Sequence, residues 1–541
     1  MTRWNVLSEY KGKQTLIEDI LEAREIENIS EFISPPSIPE YFSRFPIEFK
    51  RSLKLAKEII ESEIESDNHI VIFGDYDSDG INATAILYKY LKFEKKYPDV
   101  SYFIPNRFEH SYGVSKLAID EIIGEYGNKN LLFITVDTGV TAVEEIQYIK
   151  DLGHKVIITD HHQKPDELPN MDCLVWSDEV CGAVIAYLLS KILGSKDPKA
   201  ISLAALATVT DMQSIAGLNR VIVKRGLEVF NRNPPLGIKK LVEVAGKGGS
   251  ILSTYDLGWM IGPRLNASGR LESADDSLKL LIEKDPATLE SISFKLNKIN
   301  IERQDKTIEM YEKAADFDES DLPKILFSSS EEYHEGVIGL VASKLAQKYY
   351  RPSVVISLSD GVGKGSVRSI PGINIIEMLR KHEALFVDLG GHPMAAGFTI
   401  EKENIENLEK EMLLDAKDGI DDKLFIPSLD IDMRIPANII DLELLEDIER
   451  LEPFGLGNSR PVFLSEGLKI TGLDVVGRDM SHLRLSLSDG DKYYKAIFFG
   501  GAESVDDVSF GDNVDLVYTL KKNEYNGNTY IDLVVKDLRK A

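Results

Sequence analysis

From residue 70 onward the chain alternates short, uninterrupted apolar runs with longer amphipathic stretches. Ile70-Val71-Ile72-Phe73 has the length and branching of a strand buried on both faces, and residues 81–87 after it read as a helix. Leu131-Leu132-Phe133-Ile134-Thr135-Val136 is a second strand. A helix beginning near Thr141 ends at Gly153, and Lys155-Val156-Ile157-Ile158-Thr159 is a third strand. This repetition predicts a parallel sheet with helices on both faces. A further apolar segment, residues 201–209, delivers Thr210-Asp211. Residues before 70 read as helical and peripheral, with a breaker at Ile33-Ser34-Pro35-Pro36.

Further along, residues 278–316 read as helix with a break at Asp285-Pro286, a charged connector between two lobes. A new alternating pattern starts near Pro323 and includes Pro352-Ser353-Val354-Val355-Ile356-Ser357. After residue 416, short strands near 428–433, 483–487, 495–499, 514–518 and 529–535 fit a small barrel such as an OB-fold. The expected fold is therefore α/β: a parallel-sheet domain and a smaller α/β domain joined by a long helix, with a C-terminal β-barrel. The expected divisions are 1–69, 70–277, 278–320, 321–416 and 417–541.

Composition refines this outline. Apolar residues make up 43% and charged residues 28% of the 541, as in an ordinary globular chain. No apolar run approaches the roughly twenty residues that span a bilayer, so a cytoplasmic location is expected. Cys173 and Cys181 are too few for a disulfide framework and lack CxxC spacing. The net charge of -26 argues against coating of duplex DNA, yet is silent about a narrow channel lined by local arginines.

Polar residues gather just after the apolar runs. Asp75, Asp77 and Asp79 follow the first strand, Asp137 the second, and Asp160, His161 and His162 the third. In an open parallel sheet these positions converge on the edge where the strands' carboxyl ends lie. Asp-x-Asp-x-Asp-Gly also opens a calcium EF-hand loop, but that loop needs a helix before it and glutamate at its twelfth position, which here is Ile86. Ionised carboxylates crowded this way require a cation between them. Oxygen-rich ligands with an imidazole or two suit manganese or magnesium better than zinc, and the set exceeds the needs of one ion. Two ions about 3.5–4 Å apart would use it and would suit in-line attack on phosphorus.

The combination of Gly74-Asp75-Tyr76-Asp77-Ser78-Asp79-Gly80, Val136-Asp137-Thr138-Gly139, Asp160-His161-His162 and Thr210-Asp211 resembles the DHH phosphoesterase superfamily, and over nearly the whole chain its RecJ exonuclease branch. The resemblance implies two Mn2+ or Mg2+ ions on Asp75, Asp77, Asp79, Asp137, His161 and Asp211, with His161, His162, Asp137 and His392 catalytic. Many superfamily members carry a histidine where this chain has Phe73, a gap that Asp75 would fill. Arg107 lies in Asn106-Arg107-Phe108, and Arg264, Asn266 and Arg270 lie in Gly262-Pro263-Arg264-Leu265-Asn266-Ala267-Ser268-Gly269-Arg270. The resemblance implies phosphate or nucleotide binding for Arg107 and DNA contact for Arg264, Asn266 and Arg270. Gly361-Val362-Gly363-Lys364-Gly365-Ser366-Val367-Arg368 lacks Walker spacing, though its glycines would let backbone amides approach a phosphate. By resemblance, Ser366 and Arg368 grip a terminal 5′ phosphate, Gly390 and Gly391 bind substrate, and His392 binds it near the scissile group.

The implied activity is a metal-dependent exonuclease that degrades single-stranded DNA from its 5′ end during repair and recombination, with a helicase and a single-strand-binding protein as partners. Strand polarity comes from the resemblance alone. Two rivals remain: a DHH phosphodiesterase for oligoribonucleotides or cyclic dinucleotides, whose chains usually lack a C-terminal barrel, and a non-catalytic single-strand-binding scaffold, against which the intact acidic set counts.

Overall fold

The structure is a computed structural model that describes residues 2–541 except 111, 112, 128, 479, 526 and 527. Ser111 and Tyr112, which follow the Arg107 segment, therefore lie outside the described residues. The chain forms two units. One comprises Phe45–Asp211 and Arg225–Pro427; the other comprises Met1–Arg44, Met212–Lys224 and Ser428–Ala541.

The larger unit is built first on a five-stranded sheet. Its strands lie in the order Val100–Phe103, His69–Gly74, Leu131–Val136, Lys155–Asp160 and Cys173–Trp176, all parallel. His69–Gly74 and Leu131–Val136 are buried at every position, which explains their continuous β-branched and aromatic character. The first strand has the second on one side and the third on the other. The winding direction thus reverses beside His69–Gly74, and a crevice opens there at the strands' carboxyl ends.

Asp211 does not arrive from a strand. Residues 201–209 belong to the helix Ala200–Thr210, which is apolar nearly all round and buried, and Asp211 is its C-cap. Helix and strand cannot be told apart by periodicity in such a run. The expected connector is two helices, Asp275–Ile282 and Pro286–Ala314, broken where predicted; Asp285 caps the second by accepting from Thr288 N at 2.8 Å.

A second sheet in this unit orders its strands Phe386–His392, Ala395–Glu401, Val362–Arg368, Ser353–Ser359 and Leu326–Ser330. Val354, Ile356, Val367, Phe398 and Ile400 pack on one face against Leu408 and Met412. Helix Ile338–Tyr349 covers the other through Val341 and Leu345, together with Met310 of the long helix. The glycine-rich string forms the strand Val362–Arg368. A Cβ at Gly365 would enter the ring of Phe398, so this glycine serves a close approach inside the sheet.

In the smaller unit, six strands run in the order Met433–Arg434, Phe463–Val476, His482–Ser488, Tyr493–Phe498, Asn528–Lys540 and Asn513–Tyr525. Phe463–Val476 also pairs with Asn513–Tyr525, which closes the barrel. The N-terminal residues, expected to be helical, begin instead with a strand: Arg3–Val6 pairs in parallel with Ser428–Ile431. Arg220 ties three segments of this unit together. It is buried, lies 4.1 Å over the Phe32 ring, and donates to the carbonyls of Phe32, Glu452 and Pro453. Among the described residues, no helix is long and apolar enough to cross a membrane.

Candidate metal centre and nucleic-acid cleft

The first acidic loop is shaped by its own helix. Asp77 is the N-cap of Ser78–Lys89, and its Oδ1 accepts from Asp79 N at 2.9 Å and Gly80 N at 3.1 Å. Asp79 reaches the start of another helix, Gly182–Leu193: its Oδ2 accepts from Gly182 N and its Oδ1 from Ala183 N, both at 2.7 Å. Carboxylate oxygens carry two lone pairs each, so caps of this kind still leave positions for a cation. Asp137 ends its strand in a left-handed conformation, φ 61°, with its N–H donated to Thr159 O. That turn brings its Oδ1 to 3.0 Å from His161 Nε2.

These groups fall into three overlapping sets: Asp75, Asp77 and Asp137; Asp137, His161 and His162; and Asp79, His161 and Asp211. Within each set the candidate ligand atoms lie within 4.8 Å of one another. Asp137 and His161 each belong to two sets. Oδ1 of Asp75 and Oδ1 of Asp137 are buried without a hydrogen-bond partner, among the described residues. Unpaired buried acceptors are costly unless something cationic meets them.

Charge distribution points the same way. Burial, then the charge of Asp77, holds the Asp75 carboxyl well above the usual range; burial, then Asp79, does the same to Asp137; Asp77 is raised by burial and Asp79. Burial lowers the His161 imidazole. Burial also disfavours the charged form of His162, but its Nδ1 lies 2.7 Å from Asp160 Oδ1, and that bond raises it to about 9. Divalent cations between the carboxylates would reverse the repulsion. Oxygen-rich donors, imidazoles and orphaned acceptors together fit a pair of manganese or magnesium ions.

Three contributors were not assigned a role from sequence. Asp160 orients His162 and also accepts from Val140 N at 2.9 Å; its position directly after a strand was the available signal. Trp176 Nε1 donates to His162 O at 2.7 Å, which fixes the loop from the neighbouring strand. Gly182 lets the helix start against Asp137. The last two depend on packing that sequence spacing does not reveal.

Around the acidic cluster lies a group of arginines. Arg107 begins the helix Arg107–His110 and sits 5.9 Å from the Tyr76 ring centroid. Gly262–Leu271 is itself a helix, and it packs on the first acidic loop: Asn266 Oδ1 accepts from Ser78 N at 2.6 Å. Burial lowers Arg270 to about 10, with repulsion from Arg107 and Arg303 adding to it; its Nη1 donates to Gly336 O. Arg264 points along the long helix, donating Nε to Asn297 Oδ1 at 3.0 Å and Nη1 to Met260 O at 2.7 Å.

In the second sheet, Arg368 Nη1 donates to Val367 O at 2.9 Å and to Ser366 Oγ at 3.4 Å, and burial lowers its guanidinium. A Cβ at Gly339, in the first turn of Ile338–Tyr349, would lie 3.1 Å from Ser366 Oγ and 3.4 Å from Arg368 Nη2. A hydroxyl, a guanidinium and a helix N-terminus therefore face one spot, a suitable anion site. Register places His392 opposite Ala395 and Ala395 opposite Arg368, and places Gly390 opposite Gly397 and Gly397 opposite Ser366. Gly390, Gly391 and His392 are exposed on the outermost strand.

Comparison with known proteins adds to this geometry. The DHH family N-terminal domain matches residues 69–210, the DHHA1 domain 322–416 and the RecJ OB domain 431–537. A single-stranded-DNA-specific exonuclease RecJ from Bacillus subtilis is 32% identical over 507 residues, covering 91% of this chain and 64% of that relative. One from Haemophilus influenzae is 29% identical, covering 89% of this chain and 90% of its own. The crystal structure of RecJ with Mn2+ from Thermus thermophilus superposes with a TM-score of 0.83 at 26% identity, covering all of this chain and 80% of that one.

Proposed function

The chain belongs to the RecJ family of DHH-type nucleases, and from that premise we propose that it is an exonuclease that hydrolyses single-stranded DNA from the 5′ end. The observation that carries the activity is the set of overlapping carboxylate and imidazole groups at the reversal point of the parallel sheet. In this reading Asp75, Asp77, Asp79, Asp137, His161 and Asp211 would hold two ions, Asp137 being common to two of the candidate sets. Bound manganese or magnesium supplies Lewis acidity toward the phosphoryl oxygens and an attacking hydroxide at neutral pH.

The protein's own groups do the rest. Asp160 takes Nδ1 of His162, so the other ring nitrogen of a charged His162 donates to the scissile phosphate. Arg107, Arg264 and Arg270 neutralise backbone phosphates, and Asn266, which holds the first acidic loop through Ser78 N, contacts the strand. Ser366, Arg368 and the helix end beside them bind the terminal 5′ phosphate, with Gly390, Gly391 and His392 flanking the reacting group. The barrel binds unpaired strand. We place catalysis in residues 70–277, the connector in 278–320, end binding in 321–416 and the barrel in 417–541, behind a leading segment 1–69. Cytoplasmic action beside a helicase and a single-strand-binding protein completes the proposal.

Purified protein with manganese and strands labelled at either end tests this through product length over time. The reading expects stepwise loss from the 5′ end of single strands and intact duplex; short-oligomer cleavage alone, or inert binding, would overturn it. Arg368→Ala is expected to reduce the preference for a 5′ phosphate over a 5′ hydroxyl by about 10-fold or more, the worth of a hydrogen bond to a charged group. An unchanged ratio between the two ends would remove Arg368 from that role.

A further inference from the structure

The segment just before helix Gly262–Leu271 carries an aromatic pair that the catalytic reading does not use. Tyr255 and Trp259 are 68% and 74% exposed, and their rings lie 6.2 Å apart at an interplanar angle of 24°. The backbone beneath them is well anchored. Leu257 and Ile261 are buried, Asp256 forms a capping box with Ser253, and Lys247 Nζ donates to Asp256 at 2.8 Å. Ile251, 85% exposed, extends the apolar surface. Large aromatic faces held rigidly in water mark an interaction surface.

A row of guanidiniums leads from the acidic cluster to this pair. Arg270 feels the charges of Asp77 and Arg303, Arg303 feels Arg264, and Arg264 donates to the carbonyl of Met260, the residue after Trp259. The hydrogen-bond acceptors of these three side chains are neutral: Gly336 O, Asn300 Oδ1, Asn297 Oδ1 and Met260 O. Guanidiniums whose hydrogen-bond acceptors are neutral suit a phosphate backbone, and π-faces beside them suit its bases. Trp259 precedes Asn266, which touches the acidic loop, by seven residues, or about 10 Å of helix. The pair thus stands outside the cleavage centre.

We propose that Tyr255 and Trp259 form a stacking platform for unpaired bases of the substrate strand, at the outer end of the arginine row. The platform rests on the exonuclease reading above and gives it a second source of strand selectivity. Bases within a duplex are stacked on each other and present no free faces, so only an unpaired strand can occupy it.

Binding measured in EDTA, where no cleavage occurs, provides the test. The double variant Tyr255→Ala/Trp259→Ala is expected to bind a short oligothymidylate about 10-fold or more weakly than the unmodified protein, whereas both should bind an abasic strand of equal length alike. Tyr255→Phe/Trp259→Phe is expected to keep the affinity. Oligothymidylate should also quench tryptophan fluorescence in the unmodified protein and lose that quenching in Trp259→Phe, since Trp4 and Trp176 are the other two tryptophans. Wild-type affinity in the alanine variant, or an equal loss on the abasic strand, overturns the platform. If the unmodified protein neither binds nor degrades single strands, the exonuclease reading falls as well; if it does both and the alanine variant matches it, the platform falls alone.

Discussion

Asp137→Ala is expected to lower strand degradation by at least about 100-fold, the upper range for losing a mere outer partner of a metal ligand. Single-strand binding in EDTA should persist, because arginines supply the phosphate contacts. Asp137 belongs to two of the three ligand sets, and its Oδ1 accepts no hydrogen bond despite being buried. Alanine therefore removes a donor from both sets, including the carboxylate 3.0 Å from His161 Nε2. Because burial and Asp79 raise this carboxyl above its unfolded value, its ionisation costs stability without metal, and that cost shrinks as pH falls from the folded value toward the unfolded one. The variant in EDTA should thus unfold at a temperature no lower than the unmodified protein. The stabilisation that manganese gives the unmodified protein should be largely lost. Retained turnover together with an unchanged manganese-induced shift in melting temperature would sink the shared-ligand assignment.

The catalytic lobe was readable from sequence for a physical reason: its strands are buried on both faces, so each is a continuous apolar run with its functional residue at the end. What could not be read was strand order, and with it the reversal point that makes Asp75 to Asp79 and Asp137 neighbours. Asp211 is legible as a residue but not the kind of element before it, since a buried helix and a buried strand share one apolar pattern. Strand Phe463–Val476 escaped notice because Ser465-Glu466-Gly467 and Gly472 interrupt its alternation, where the structure has register shifts. Arg3–Val6 escaped for another reason: its partner strand is distant in sequence, as the Asn5 to Asp430 side-chain bond across 425 residues illustrates. Family likeness implies roles for Ser366 and Arg368, but not the helix end beside them, which the packing of Gly339 discloses.

Packing also singles out a residue with no polar group in its side chain. Gly182→Ala is expected to weaken manganese affinity by roughly 10- to 100-fold, the range for disturbing partners that orient metal ligands. A Cβ there would lie 2.6 Å from Asp137 Cβ and 2.9 Å from its Cα, so main chain, not a flexible side-chain tip, has to yield. The same residue's N–H, with that of Ala183, holds the Asp79 carboxylate at the start of a helix of 12 residues. One methyl group therefore pushes Asp137 away while dragging on Asp79, and so alters the spacing of two ligands at once. Overpacking of this kind costs about 1–3 kcal/mol, which an otherwise intact fold can absorb, so the defect should appear in manganese titration by electron paramagnetic resonance before it appears in far-ultraviolet circular dichroism. Gly124→Ala is the matched control: it lies within helix Lys116–Tyr126, nothing stands within 4 Å of its added Cβ, and it should gain up to about 1 kcal/mol of stability from helix propensity. Wild-type manganese affinity in Gly182→Ala would mean that the helix start and Asp137 do not constrain one another, and the metal spacing would have to be set elsewhere.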